Sequence, residues 1–499
     1  MQKLLTAKQM RDADSFTIAS KSIFSADLME EASHAFVKIF TEEFPDRSLR
    51  VSVYCGTGNN GGDGLAISRL LMQAGYHDIK VMIARFSANS TDDFEINFRR
   101  LREFQNIRIQ ELRSAVECGA ETSDLIIDAL LGSGLNKPLS GEWEKLVTWL
   151  NSLHKTIVSV DIPTGLPAEE GAGSGHAILH ARLAISFQRP KLSFLLPGSA
   201  PYLDRFRVAD IGLDDDFIQN CEGPYYLLEE NDIRERLIHR AAFSHKGTFG
   251  HAMLVAGAPE TMGAALLTSR ACLYAGAGLT SACIPATGLT ALNASLPEVM
   301  AVVRSEQGLP TSVDWEKYQA IGIGPGLGTG PGSLSLLRVV LKNFHKPIVL
   351  DADALNLIAH NYELIQQVPE HSVLTPHMKE FDRLFGDHQD WWSRIETGID
   401  RATTLGCTIV LKNRYTIIFT PQGMCLFNPT GTPAMATGGS GDALTGIITS
   451  FLAQGYEPHE AAFIGTYVHG AAGERVRGYV ATPSQLIDEL PLLMKELAD

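Results

Sequence analysis

The stretch Ala434-Met435-Ala436-Thr437-Gly438-Gly439-Ser440-Gly441-Asp442-Ala443-Leu444-Thr445-Gly446 sets three glycines, a serine and a carboxylate directly before an apolar run, Leu444 to Leu452, of helical character. That order predicts a glycine-rich turn at the N-terminus of a buried helix, where free backbone N–H groups and the helix dipole favour an anion. Asp442 sits in the same turn. A carboxylate in an anion cradle needs a chemical task, and accepting a proton from a hydroxyl that attacks a phosphoryl group is one. The alternative is a surface turn with Asp442 as its N-cap. Apolar flanks on both sides favour the buried turn.

Working outward, the second half of the chain alternates strands and helices. His251 to Ala256, Ala320 to Ile323, Pro347 to Leu350 and Thr408 to Leu411 read as strands. Ser244-His245-Lys246-Gly247-Thr248-Phe249-Gly250 precedes the first. Met262-Gly263-Ala264-Ala265 opens a small-residue helix running through Ala271, Ala275 and Ala277, which allows close approach of a ligand or of a neighbouring helix. Gly322-Ile323-Gly324-Pro325-Gly326-Leu327-Gly328 fails the G-x-G-x-x-G spacing in every register, and its bare backbone suits a loop under a bulky substrate. Asp351 and Asp353 end a strand. His377 follows a Thr-Pro turn, which places it at the sheet's ligand edge rather than in the core. Lys412 lies just past a strand, in reach of a phosphate.

The first half alternates too. Thr6 caps a helix, residues 25–43 form a second, Val51 to Cys55 is a strand, Gly64 to Ala74 a helix and Ile79 to Ala84 a strand. Leu125 to Leu130 and Ile157 to Asp161 are buried strands that end in aspartates. Such alternation implies a parallel sheet with helices on both faces and ligands beyond the strands' carboxyl ends. Gly56-Thr57-Gly58-Asn59-Asn60-Gly61 satisfies G-x-G-x-x-G, but the second strand ends Ala84-Arg85-Phe86, without the acidic residue of a dehydrogenase. The loop Gly132 to Pro138 suits a pyrophosphate. Asn60, Asp128 and Thr164 together make an oxygen-rich site fit for a hard cation; the alternative is that Asp128 and Asp161 only cap loops.

Composition frames both halves. The chain has 499 residues, 45% of them apolar and 20% charged, enough for two domains. A net charge of −15 argues against a general nucleic-acid binder. Seven scattered cysteines without a C-x-x-C pair suggest a reducing compartment. The N-terminus lacks a signal-peptide core and no apolar run could span a bilayer, so a cytoplasmic protein without membrane partners is expected. The acidic run Asp214-Asp215-Asp216 and Gly223-Pro224 place a boundary near residue 222, giving domains of residues 1–221 and 222–499.

Gly58-Asn59-Asn60-Gly61-Gly62-Asp63-Gly64 with Asp161-Ile162-Pro163-Thr164-Gly165 resembles the NAD(P)H-hydrate epimerase domain. The second half resembles the ADP/ATP-dependent NAD(P)H-hydrate dehydratases of the ribokinase-like fold. Nearly the whole chain is covered, in the order of the bifunctional bacterial NAD(P)H-hydrate repair enzymes. The resemblance implies an N-terminal Rossmann-like three-layer parallel sheet followed by a ribokinase-like α/β domain. It implies that Asn59, Asn60, Gly61, Gly62 and Asp63 hold the substrate. Asn60, Asp128 and Thr164 would hold potassium, and Gly132, Ser133, Gly134, Leu135, Asn136, Lys137 and Pro138 the substrate's phosphates. Asp161 would be the acid/base residue at the damaged nicotinamide ring, with Lys191 as its helper.

In the second half, the resemblance implies an adenine nucleotide on Lys412, Asn413, Arg414, Tyr415, Thr416 and Gly441. The hydrate would meet Ala264, Gly326, His377 and the base Asp442, and Glu380 would suit the water shell of Mg²⁺. ADP as co-substrate and a homo-oligomer are expected with the family. Two positions depart from its pattern. Asn413 stands where glycine is common, and asparagine tolerates φ > 0; Ser440 replaces a common threonine. Two other readings stay open. One is a small-molecule kinase of the ribokinase fold with a fused accessory domain. The other makes the first half a non-catalytic nucleotide-binding module.

Overall fold

The computed structural model describes residues 1–87, 89–104, 106–135, 137–169, 176–305 and 313–499. The chain divides into two compact units, Lys3–Gly223 and Pro224–Asp499, and Met1 and Gln2 sort with the second.

Among the described residues, the first unit holds a seven-stranded sheet ordered Arg108–Leu112, Ile79–Ala84, Val51–Cys55, Leu125–Ala129, Thr156–Val160, Ala181–Phe187 and Leu203–Ala209. Every neighbouring pair is parallel. The central strand explains the layering. Val51, Val53 and Cys55 pack with Phe36, Phe40 and Leu65 on one face, while Tyr54 packs with Leu146, Val147 and Leu150 on the other. Strands buried on both faces read as continuous apolar runs, and this one has all five residues buried. The first helix, Ala7–Lys21, starts at a capping box: the Thr6 hydroxyl accepts the Gln9 amide at 3.2 Å, and Gln9 Oε1 accepts the Thr6 amide at 3.0 Å.

The helix read from Gly64 begins five residues earlier, at Asn59. Glycines have low helix propensity, but tertiary packing overrides it here. A Cβ on Gly61 would stand 2.0 Å from the Gly56 carbonyl oxygen, and one on Gly64 2.5 Å from the Ala129 Cβ. These glycines let the helix press onto the sheet.

The second unit carries a sheet with a parallel centre: Val373–Leu374, Ile348–Leu350, Ala320–Ile323, His251–Val255, Leu279–Pro285 and Met300–Arg304, in that order. Thr408–Leu411 joins Val373–Leu374 in parallel, and Ile417–Phe419 and Cys425–Phe427 extend the sheet antiparallel. One face is covered by the helices Ser440–Ala453, Pro458–Arg475 and Pro483–Ala498. The small-residue helix runs Met262–Tyr274, so Ala275 and Ala277 lie beyond its end. Its small residues serve a neighbouring helix: a Cβ on Gly446 would meet the Thr268 carbonyl oxygen at 2.1 Å and the Ala271 Cβ at 3.0 Å. Among the described residues no helix is long and apolar enough to cross a membrane, and all seven cysteines are free.

Candidate functional sites

Both units open a cavity at the carboxyl edge of their sheet. In the first unit it measures about 430 Å³ and is lined by Asn59, Asn60, Asp63, Gly132, Ser133, Gly134, Leu135, Asp161 and Lys191, among others. Asp161 follows the strand Thr156–Val160 and adopts φ +65°, a left-handed conformation uncommon for a residue with a Cβ. That turn aims its carboxylate at Lys191 Nζ, 2.6 Å away, and at the Phe187 amide, 3.0 Å away. Asp63 is fully buried, and burial with the nearby charges of Asp161 and Asp14 holds its carboxyl well above the usual range.

Asp14, on the first helix, lines the same cavity. Burial, then the Asp161 charge, push its carboxyl up to about 6. Sequence reading missed it, because it stands more than forty residues ahead of the first motif with no pattern around it.

Two of the three proposed cation ligands, Asp128 and Thr164, are in direct contact. Asp128 is completely buried and accepts four neutral donors: the Thr164 hydroxyl at 2.7 Å, the Thr164 amide at 2.9 Å, the Ser159 hydroxyl at 2.8 Å and the Leu130 amide at 3.2 Å. No basic side chain pairs with it among the described residues, and burial pushes its carboxyl up. A buried carboxylate without a counter-charge is costly. Asn60 packs against Gly132, whose Cβ would sit 3.5 Å from the Asn60 Oδ1, and the Asn60 amide nitrogen is buried without a partner among the described residues. An oxygen-rich pocket around an uncompensated carboxylate fits a monovalent cation.

Not every expected residue reaches the cavity. Gly61 and Gly62 pack against Gly56 and Met29 instead of lining it, and Lys137 and Pro138 are exposed outside its lining. Asn136 lies outside the described residues.

The second unit's cavity measures about 770 Å³ and is lined by His377, Glu380, Lys412, Asn413, Arg414, Thr416, Gly441 and Asp442, together with Asp351 and His469. Gly439 takes φ +92° as the helix N-cap, which no other residue type adopts freely, and the helix starts at Ser440. Gly441 and Asp442 therefore occupy its first turn. A Cβ on Gly441 would stand 3.4 Å from Lys412 Nζ, so the bare glycine leaves the lysine open to the cavity. Lys412 Nζ lies 2.7 Å from Asp351 Oδ1 and 3.9 Å from Glu380 Oε2, and Asp351 Oδ2 accepts the Thr445 hydroxyl at 2.8 Å. Burial, then the Asp351 charge, push the Asp442 carboxyl up to about 6.

His377 caps the helix Met378–Phe385: its Nδ1 accepts the amides of Lys379 at 3.1 Å and Glu380 at 3.2 Å. The ring is half-exposed, with Nε2 3.4 Å from Glu380 Oε1. Glu380 Oε2 accepts the His377 amide at 2.9 Å, closing the capping box. Among the described residues no trio of His, Cys, Asp and Glu gathers as a metal cage. The donor set fits a Mg²⁺ carried on nucleotide phosphates and waters, not one held by protein alone.

Asn413 does not take positive φ, so the expected tolerance is not called on. Its side-chain oxygen accepts the Arg414 amide at 2.7 Å, and the Thr416 hydroxyl donates to its carbonyl at 3.0 Å, which ties the loop. Tyr415 lies beneath Arg414, 4.7 Å from guanidinium to ring centroid, and does not line the cavity. Ala264 and Gly326 meet each other, since a Cβ on Gly326 would be 2.8 Å from the Ala264 Cβ; neither lines this cavity. His469 was also missed. It is partly buried on Pro458–Arg475, with Nε2 3.0 Å from the Ser440 carbonyl oxygen, and desolvation pulls its imidazole down to about 4. The neutral ring holds the first turn of the Asp442 helix. A lone histidine in an apolar helix gives no such signal in sequence.

A family model described as NAD(P)H-hydrate dehydratase matches residues 252–492, and one described as YjeF-related protein N-terminus matches residues 25–193. The bifunctional NAD(P)H-hydrate repair enzyme Nnr of Moorella thermoacetica is 33% identical over 520 residues, covering 99% of this chain and 97% of that protein. Its namesake from Escherichia coli K12 is 31% identical over 93% of this chain and 88% of its own length. A ribokinase-like superfamily protein from Enterococcus faecalis V583 superposes with a TM-score of 0.50 at 30% identity, over 56% of this chain and 98% of that structure.

Proposed function

The chain belongs to the family of bifunctional NAD(P)H-hydrate repair enzymes, and on that premise we propose that it repairs hydrated NADH and NADPH in two steps. Residues 1–221 interconvert the R and S hydrates. Residues 222–499 dehydrate the S form at the expense of ADP, which becomes AMP and phosphate. The observation that carries the second step is Asp442 in the first turn of its helix, beside the Lys412–Asp351 pair on one cavity.

Asp442 takes the proton of the C6 hydroxyl. A carboxyl held at about 6 is mostly ionised near neutrality and more basic than an ordinary carboxylate, which suits a general base. The hydroxyl oxygen attacks the terminal phosphoryl group of ADP, and the amides of the 438–442 turn face the developing charge. Lys412 contributes a point charge to the nucleotide phosphates. The lone pair of the ring nitrogen then expels phosphate from C6, C5 gives up a proton to solvent, and the C5–C6 double bond of the dihydronicotinamide returns. Glu380 would accept a water of Mg²⁺, which when bound neutralises phosphate charge.

In the first unit, Asp161 serves as acid and base at the damaged ring, with Lys191 fixing its carboxylate. The Gly132–Leu135 loop takes the substrate's phosphates. Asn60, Asp128 and Thr164 would hold potassium, which supplies the counter-charge that buried Asp128 lacks. Free cysteines fit a cytoplasmic setting, and a homo-oligomer is expected with the family.

The test is to incubate hydrated NADPH with the full chain, Mg²⁺ and either ADP or ATP, and to follow the dihydronicotinamide absorbance and released phosphate. Recovery with one phosphate per NADPH is expected. A phosphorylated product that persists would instead identify a kinase.

A further inference from the structure

A second cavity, of about 300 Å³, opens on the same sheet edge as the Asp442 site. It is lined by Ala258, Pro285, Arg304, Leu327, Ser333 and Leu336, among others. These residues follow the strands His251–Val255, Leu279–Pro285, Met300–Arg304 and Ala320–Ile323, or belong to the helix Pro331–Asn343. The two cavities therefore lie along one carboxyl edge. Four inter-strand steps separate Asp351, beside Asp442, from Arg304, a span of roughly 19 Å at about 4.8 Å per step. The Gly326–Ala264 contact lies between them in strand order. A dinucleotide laid along the edge, with its reacting ring at Asp442, is long enough to reach Arg304.

The chemistry of the far cavity differs from that of the near one. No acidic side chain lines it among the described residues, and Arg304 is its charged group. The guanidinium is held by three strand-end carbonyls: Nη1 donates to Cys283 at 2.5 Å and to Ala256 at 3.1 Å, and Nη2 donates to Gly257. Those contacts fix the fork without neutralising it, and among the described residues no carboxylate pairs with it. Among the described residues, two of its five N–H donors are left over. A fixed, unneutralised arginine in a chain of net charge −15 is built for an anion. The helix Pro331–Asn343 adds to the field, since its first turn has neither a side-chain cap nor an acidic residue.

We propose that this cavity is a phosphate subsite for the distal part of the dinucleotide hydrate, with Arg304 as its anchor. The proposal rests on the dehydratase reading above. Two phosphate sources share this chemistry, the pyrophosphate of both hydrates and the 2′-phosphate that only the NADPH form carries.

The test compares kcat/KM of the full chain, with saturating ADP and Mg²⁺, on the S hydrates of NADPH, of NADH and of reduced nicotinamide mononucleotide. In Arg304→Ala the advantage of a dinucleotide over the mononucleotide should fall about tenfold or more, the size of a lost hydrogen bond to a charged group. Ser333→Asp should lower the same ratio by placing a carboxylate in the cavity. Its charge favours the helix start, so it covers the case in which Arg304→Ala does not fold. A fall for both dinucleotides assigns the pyrophosphate, and a fall for the NADPH hydrate alone assigns the 2′-phosphate. Unchanged ratios in a folded variant overturn the subsite alone. A wild-type chain that restores none of the three hydrates overturns the dehydratase reading, and the subsite with it.

Discussion

The two carboxyl-edge sites solve one problem in opposite ways. In the first unit the central carboxylate, Asp161, is locked onto Lys191 at 2.6 Å, and further acids, Asp14 and Asp63, stand near it and raise one another. In the second, the ion pair is formed by other residues, Lys412 and Asp351, and among the described residues Asp442 stands beside it without an ion-pair partner of its own. Isomerisation needs a group that gives a proton and takes one back at a fixed place, and a locked pair suits that. Phosphoryl transfer needs a base that meets an incoming hydroxyl while cations attend the phosphates. Pairing Lys412 with Asp351 leaves Asp442 free for the hydroxyl.

That contrast breaks most sharply at Asp442→Asn. The amide keeps the turn and cannot take the proton, so dehydration of the S hydrate should fall by about 10²–10⁴-fold. Epimerisation should persist. Retention of half the dehydration rate would make Asp442 structural and remove the contrast altogether.

Asp161→Asn probes the other side. Asparagine accepts positive φ and can still take the Phe187 amide, so the turn survives while the charge is lost. On an R and S mixture, recovery of NADPH should stop near the initial S fraction, with epimerisation slowed about 10²-fold or more. On pure S hydrate the variant should match the wild type. Loss of dehydration in the folded variant would show that the two carboxylates serve one site.

The glycine-rich motifs show how far sequence reaches. Strand–helix alternation and apolar runs placed both sheets, since strands buried on two faces leave little ambiguity. The turn before Leu444 was legible because its glycines stand at a helix start. The helix start was read at Gly64 and lies at Asn59, because the same residue type also permits a helix to press on a strand. Nothing local distinguishes the two uses; the Gly56 carbonyl that Gly61 must clear is a tertiary fact. Asp14 and His469 were invisible for a related reason. Each works through neighbours brought by the fold, Asp161 for one and the Ser440 carbonyl for the other.

Lys412→Ala sharpens the comparison at a smaller scale. A single point charge aimed at a phosphate should affect nucleotide binding more than turnover. The KM for ADP should rise about tenfold, as expected for a hydrogen bond to a charged group, with a lesser change in kcat. A large fall in kcat at unchanged KM would place Lys412 at the reacting phosphoryl group instead.

The smallest effect tests how Asp442 acquires its basicity. Its carboxyl must be ionised to act, so kcat/KM for dehydration should fall tenfold per pH unit below about 6 and level off above it. The nucleotide's terminal phosphate ionises in the same range, about 6, so the wild-type limb alone does not identify the group. Asp351→Asn separates them. Asp351 is the largest neighbouring charge that raises Asp442, while Lys412 lowers it. Removing that negative charge favours the ionised form of Asp442 and frees the Lys412 cation from its partner, and both changes act in the same direction. The acid limb should move down by about one unit or less, the scale of one neighbouring charge, whereas the ionisation of ADP in solution cannot respond to the substitution. A limb fixed at the wild-type pH would assign it to the nucleotide instead of Asp442.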